Sequence, residues 1–145
     1  FQMSSKEFFA LVKSHLKDDG VMVVNMNMRG TKEGNINQYL SDTIGSVFTT
    51  EVIVDVAGSS NRELFASDDL TKHTGELTNA NLKNMMQEVA SNLTEYQKGN
   101  YILTDDQAPV ELLGMQVIDE LIKDEVQYYK DIYKERGIKG LMESL

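Results

Sequence analysis

Residues 19–26 read Asp-Gly-Val-Met-Val-Val-Asn-Met, and this stretch decides which class of fold the sequence can form. Gly20 suits the left-handed backbone conformation in which helices commonly end. The run that begins at Val21 is continuous, apolar and rich in β-branched residues, which is typical of a strand buried on both faces of a sheet. The stretch therefore predicts an α/β protein in which a helix leads directly into a buried strand.

Further helices and strands flank this stretch on both sides. The helix before it is predicted to begin at Ser4 or Ser5, and Ser4 with Glu7 has the spacing of a capping box. The elements predicted after it are a helix over 36–47, two strands at 51–56 and 62–67 that form a hairpin, a helix from about 78 to 97, and a long last helix from Pro109 to about Gly137.

The number of predicted strands bears on domain organisation. A central strand needs a neighbour on each side, and one short hairpin cannot supply both neighbours. Residues 1–145 are therefore predicted to form one domain or partial domain. Its sheet would be the C-terminal half of a larger one, or would be completed by a second copy of the chain.

Composition and charge exclude several classes of function. The 145 residues carry a net charge of −9 with a pI of about 4.6, which argues against a nucleic-acid binder and mildly favours a cationic ligand. Without cysteine there is no disulfide or thiolate metal site, and two distant histidines do not predict a zinc site. No signal peptide is recognised and no apolar run is long enough to span a bilayer, so a cytoplasmic location is expected.

Residues 104–111, Thr-Asp-Asp-Gln-Ala-Pro-Val-Glu, form an acidic corner between a short apolar piece and the last helix. Asp105, Asp106 and Glu111 are candidates for holding an ammonium group, because carboxylates pair with cations and accept several hydrogen bonds. The alternative, which we favour from sequence, is that Asp105 or Asp106 caps the last helix while Glu111 complements its dipole. Asn25, at the end of the predicted buried strand, is a further candidate, since ligands of open α/β sheets bind beyond the strand ends.

Three segments, taken in their order and spacing, resemble the spermidine synthase family of aminopropyltransferases. Residues 3–25 are similar to a helix and strand in the second half of the family's Rossmann-like, S-adenosylmethionine-type domain. Residues 48–67 resemble its last two strands. Residues 103–111 resemble the Thr-Asp-Asp-x-x-Pro-x-Glu element of bacterial spermidine synthase-like proteins, including those fused to membrane segments.

The resemblance implies a fold and an activity. The fold is the C-terminal part of a Rossmann-like methyltransferase-type domain, with about three strands, flanking helices and long C-terminal helices. The parent protein would transfer an aminopropyl group from decarboxylated S-adenosylmethionine to a polyamine, and would be a homo-oligomer. The family's glycine-rich cofactor loop and catalytic aspartate motif are not among the 145 residues, so no catalytic residue is assigned and this chain alone is expected to bind no cofactor and to be inactive.

Two other functions remain open. The chain is alternatively a non-catalytic domain that dimerises through an incomplete sheet edge or through its long last helix, because unpaired strand edges invite pairing. It is also compatible with a methyltransferase that uses ordinary S-adenosylmethionine, since the same fold serves several functions.

Overall fold

The computed structural model describes residues 3–27, 29–30, 32–69 and 77–144. Over these residues the chain is a mixed α/β protein, as predicted. Its helices are α1 (Lys6–His15), α2 (Ile36–Gly45), α3 (Ala80–Ser91) and α4 (Val110–Glu143), and its strands are β1 (Met22–Met26), β2 (Thr50–Asp55), β3 (Arg62–Ser67) and β4 (Leu93–Thr94).

The four strands form one sheet in the order β1-β3-β2-β4, in which every neighbouring pair is antiparallel. The predicted hairpin of β2 and β3 is confirmed, with Asp55 opposite Arg62 beside the turn. Because β1 and β2 are each antiparallel to β3, they run parallel to one another. Helix α2 connects them, so β1, α2 and β2 form a crossover of the kind found in α/β folds.

The prediction that β1 is buried on both faces is wrong. Met22 and Met26 are buried against the helices, but Val23, on the other face, is 54% exposed. Within the described part of the chain, β1 pairs with β3 alone and its second edge is open. An apolar run predicts that a segment is extended, whereas its burial depends on which elements cover each face.

Helices α1 and α2 cover one face of the sheet and form the main core with it. Their packing is apolar and joins residues that are far apart in the sequence. The buried members of this core are Phe9, Met22, Met26, Ile44, Phe48, Ile53, Leu64 and Ala66. A smaller cluster, formed by Ile36, Leu103, Leu113 and Val117, attaches α4 to α2.

The observed bounds of α3 and α4 differ in part from the predicted ones. Helix α3 begins close to its predicted start, after an N-cap at Asn79, but it ends at Ser91 rather than near residue 97, and Leu93–Thr94 pair with β2 instead. In α4 the predicted break at Gly137 is confirmed by its φ of 64°. The buried apolar side chains of α4 are Leu113 and Val117, and most of its other apolar residues are exposed.

Candidate functional site

The acidic corner is a tight turn. The backbone amide of Gln107 donates to the Thr104 carbonyl at 3.0 Å, and the Thr104 amide donates back to the Gln107 carbonyl at 3.2 Å. Asp105 and Asp106 occupy the two positions between them and are exposed. The turn therefore presents two carboxylates side by side at the protein surface.

Asp105 is joined to the first turn of α1. The Ser5 hydroxyl donates to Oδ1 of Asp105, and the Asp105 amide donates to Oε2 of Glu7 at 3.1 Å. Ser5 is also the N-cap of α1, since its buried oxygen accepts from the Phe8 amide at 3.2 Å. The corner is thus anchored to α1 by residues about 100 positions away.

This geometry corrects two expectations about helix caps. Asp105 does not cap α4: Pro109 is at the N-cap position of that helix and makes no side-chain capping bond. The capping box of Ser4 and Glu7 is also wrong, because Ser5 is the cap and Glu7 accepts from Asp105. Capping needs a side chain directly before the helix, and the turn moves both aspartates away from that position.

Asp106 and Glu111 make no side-chain hydrogen bond or ion pair within residues 3–27, 29–30, 32–69 and 77–144. Asp106 borders an open surface cavity of about 490 Å³, which Tyr39, Ile102 and Pro109 also line. Glu111 lies in the first turn of α4, where a negative charge is favoured by the helix dipole. These two carboxylates are therefore free to meet a cation.

The corner lies toward the end of the sheet at which β1 terminates. Lys13, in the last turn of α1, contacts Asp68 at 2.8 Å just after β3, which is the end where β1 begins. The first turn of α1, and the corner attached to it, therefore point toward the opposite end. Ligands of α/β sheets bind at this carboxyl end of the strands.

Asn25 is not brought into contact with the corner. It is exposed on β1, opposite Glu63 of β3. Its neighbour Asn27 has a structural role, because the Asn27 carbonyl accepts from Nδ2 of Asn37 at 3.2 Å and so fixes the start of α2. The polar residues after β1 thus act mainly in the following connection.

An arginine pair closes the same end of the sheet. Arg29 and Arg62 each contact the Asp55 carboxylate at 2.8 Å. Burial raises the pKa of Asp55, but the hydrogen bonds and charges of Arg62 and Arg29 outweigh it and hold this pKa below its usual range. Sequence reasoning missed this group, although Asp55 and Arg62 are adjacent across the predicted hairpin.

Among the described residues, the most buried charged side chain is that of Asp42, which sequence reasoning also missed. It is fully buried on α2 and accepts hydrogen bonds from the Tyr96 hydroxyl, the Gly99 amide at 3.0 Å and the Tyr101 amide at 2.9 Å. These bonds fasten the segment that leads to the acidic corner. The one signal in the sequence is that the polar run Ser41-Asp42-Thr43 lies between the apolar residues Leu40 and Ile44 of α2.

Glu51 lies beside Asp42 and has an unusual environment. Both of its carboxylate oxygens are buried without a hydrogen-bond partner. The pKa of Glu51 is raised to about 7: burial is the main cause, the charge of Asp42 also raises it, and the charge of Lys98 lowers it. A Cβ atom at position 45 would lie 3.0 Å from Oε2 of Glu51, so a residue larger than Gly45 would require the Glu51 side chain to shift.

Comparison of this sequence with those of known proteins shows what the chain is related to. The chain is 44% identical over 168 aligned positions to a probable polyamine aminopropyl transferase of Bifidobacterium longum (strain NCC 2705). The alignment includes all of this chain. The chain is homologous to this probable polyamine aminopropyl transferase. The resemblance to the spermidine synthase family is thereby confirmed.

The chain spans 38% of the length of this aminopropyl transferase. The predicted partial domain agrees with that coverage. No protein-family model matches the chain, and no solved structure matches it. Across the described residues there is no group of side chains suited to a metal ion and no helix long and apolar enough to cross a membrane.

We expect Ser5→Ala to lower the free energy of unfolding by about 1–2 kcal/mol, because the variant loses the α1 cap and leaves Asp105 without its donor. Chemical denaturation measures the change. Ser4→Ala is the matched control and should stay within about 0.5 kcal/mol of the wild type. A larger loss in Ser4→Ala than in Ser5→Ala would contradict the assignment of the cap.

Proposed function

We propose that the full-length protein transfers an aminopropyl group from decarboxylated S-adenosylmethionine to a polyamine. The observation that carries this proposal is the 44% identity of the whole chain to a probable polyamine aminopropyl transferase. The net charge of −9 is consistent with a cationic substrate. The residues described here would contribute substrate binding, while cofactor binding would come from the rest of the protein.

The reaction is a direct displacement at carbon. The lone pair of the acceptor amine forms a bond to the aminopropyl carbon beside the sulfonium, the carbon–sulfur bond breaks, and its electron pair neutralises the sulfur. The amine then loses one proton. Because no charged intermediate needs to be formed on the protein, rate acceleration comes mainly from positioning the amine and holding it deprotonated.

The acidic corner is suited to bind the part of a polyamine that does not react. We assign Asp106 and Glu111 to an ammonium group of the acceptor, since both carboxylates are unpaired and Asp106 borders an open cavity. Asp105 has a positioning role, because the Ser5 hydroxyl and Glu7 fix the turn that carries Asp106. Asn25 remains a candidate at the same end of the sheet.

We also propose a Rossmann-like arrangement for the complete domain. The parallel relation of β1 and β2 through α2 supports it, as does the open edge of β1. A further strand of the full-length protein would pair with that edge. A cytoplasmic location stays a prediction. Membrane segments elsewhere in the full-length protein are suggested only by the resemblance to family members that are fused to such segments.

The substrate-binding proposal is tested with Asp106→Asn in the full-length protein. We expect the KM for putrescine to rise about fivefold, the equivalent of about 1 kcal/mol for one partly exposed charge pair, with little change in kcat or in stability. Asp18→Asn, an exposed change on the connection before β1, is the control. An unchanged KM in Asp106→Asn would show that the corner has only a structural role.

The activity itself is tested by comparing thermal stabilisation by decarboxylated and ordinary S-adenosylmethionine, followed by product analysis with putrescine. We expect preference for the decarboxylated form and an aminopropylated product. Preference for the ordinary form, with a methylated product, would identify a methyltransferase instead. No response to either would favour a non-catalytic interaction domain.

A further inference from the structure

An open cavity of about 430 Å³ lies between the first half of α2 and the segment that begins at β4. Asn37 and Ser41 line it on the α2 side, and residues 94–97 line it on the other side. We call it the β4 cavity. Apart from Ile53 and the ring of Tyr96, the side chains that line it are polar or charged. A ligand of this cavity must therefore be polar itself, because enclosed polar groups need hydrogen-bond partners.

The α2 side of the β4 cavity carries a buried hydrogen-bond acceptor without a partner. Asn37 is 3% exposed, and its Nδ2 donates to the Asn27 carbonyl at 3.2 Å. Its Oδ1 is buried and has no hydrogen-bond partner among the described residues. Ser41, one turn further along α2, is also buried, and its hydroxyl donates to Sδ of Met26 over 3.9 Å, so its oxygen can still accept. An unpaired buried acceptor is costly, and a donor that enters the cavity is therefore favoured here.

The charged side chains around the β4 cavity also favour a ligand that donates. Lys32 pairs with Glu120 at 2.9 Å, and Arg62 pairs with Asp55 at 2.8 Å, so carboxylates outside the cavity already neutralise both cations. Glu95 lines the cavity and is exposed. Its carboxylate makes no hydrogen bond or ion pair in the part of the chain that the structure describes. The unpaired charge at the cavity is therefore negative.

The start of α2 does not make the β4 cavity an anion site. Helix starts bind anions through backbone amides that lack a partner. Here Oδ1 of Asn35 accepts from the amides of Asn37 and Gln38 at 3.0 and 3.1 Å, so both amides are already bonded. What the cavity offers is a set of acceptors on two sides. An ammonium group, which has three N–H donors and a positive charge, matches such a set.

We propose that the β4 cavity binds the ammonium group of a small aliphatic amine, at a site separate from the acidic corner. The three N–H donors meet Oδ1 of Asn37, the Ser41 oxygen and the Glu95 carboxylate, and the carbon chain contacts Ile53. Tyr39, which borders the cavity at the acidic corner, lies about 200° from Asn37 around α2 and so faces the opposite side of the helix. The proposal concerns binding alone and does not rest on aminopropyl transfer.

Titration calorimetry of the full-length protein with butylamine, which carries one ammonium group, tests the proposal. The Asp106→Asn variant is used as background because it weakens the acidic corner, and we expect it to keep a butylamine site. Adding Glu95→Gln should raise the Kd about fivefold, and adding Asn37→Ala should raise it about tenfold. Glu88→Gln makes the same change at an exposed position of α3 and should leave the Kd unchanged. No butylamine binding in the background, or equal weakening by Glu88→Gln and Glu95→Gln, would overturn the proposal.

Amide hydrogen exchange with and without butylamine locates the site. Residues 94–97 should exchange more slowly with the amine, because its ammonium joins them to α2. Inorganic phosphate is the comparison probe: protection of this segment by phosphate and not by butylamine would show an anion site and overturn the proposal. Glu95→Gln alters only an exposed side chain, so the test holds even where Asn37→Ala unfolds through loss of its bond to Asn27. An inactive transfer assay with putrescine, beside these binding results, would count against the proposed function alone.

Discussion

Replacing Asp42 by alanine is expected to lower the free energy of unfolding by about 3–5 kcal/mol. Asp42 is fully buried, and the variant would leave the Tyr96 hydroxyl and the amides of Gly99 and Tyr101 without an acceptor. A buried donor that has lost its partner keeps the cost of removal from water. Three donors lose theirs together, so the effect exceeds that of a usual surface change.

Urea denaturation measures the loss, and two other variants define its cause. Asp42→Asn keeps one acceptor oxygen and should cost less than Asp42→Ala. Asp18→Ala removes an exposed aspartate and should change stability by less than about 0.5 kcal/mol. If Asp42→Ala cost less than about 1 kcal/mol, the hydrogen-bond network around Asp42 would not be present in solution.

Amide hydrogen exchange locates the same effect in the structure. In Asp42→Ala the amides of Gly99 and Tyr101 should exchange faster than in the wild type, while those of β2 and β3 should keep their relative protection. This follows because Asp42 holds the segment before the acidic corner rather than the sheet. A loosened segment would displace the turn that carries Asp106, so the KM for the amine should rise as well.

Glu51→Gln is expected to stabilise the protein at pH 8 by about 1–2 kcal/mol, a value reduced for the partial exposure of Glu51. The pKa of Glu51 is raised from 4.5 to about 7, so the folded protein binds the proton more tightly than the unfolded chain. The resulting stability is fully present below pH 4.5 and is lost as the pH rises through about 7. Glutamine resembles the protonated acid and removes this dependence.

Unfolding free energies measured between pH 4 and pH 8.5 test the expectation. The difference between Glu51→Gln and the wild type should grow across pH 5–7 and become constant above about pH 8. Glu88→Gln, an exposed change on α3, should give no such trend. A difference that is independent of pH would mean that Glu51 is ionised in the folded protein at neutral pH.

The sequence predicted which acidic residues form the candidate site, but it did not predict the hydrogen bonds that join them to the rest of the protein. The cluster of Asp105, Asp106 and Glu111 is visible in the sequence because its members are neighbours there. The bond between Ser5 and Asp105 joins residues separated by 100 positions, and no local pattern indicates it. Asp42 and Glu51 were missed for the same reason, since their burial depends on the segment that contains Tyr96 and Lys98.

The sequence by itself determined the local elements of this protein. The hairpin of β2 and β3, the approximate start of α3 and the break at Gly137 follow from β-branched runs, turn residues, helical periodicity and glycine, whose effects extend over a few residues. Only the tertiary structure decided that β1 pairs with β3 and leaves Val23 exposed, that Asp105 binds Ser5 and that α4 turns most of its apolar residues outward in the described part of the chain. Burial and hydrogen-bond pairing depend on which distant segments meet, and chain neighbours carry no information about that choice.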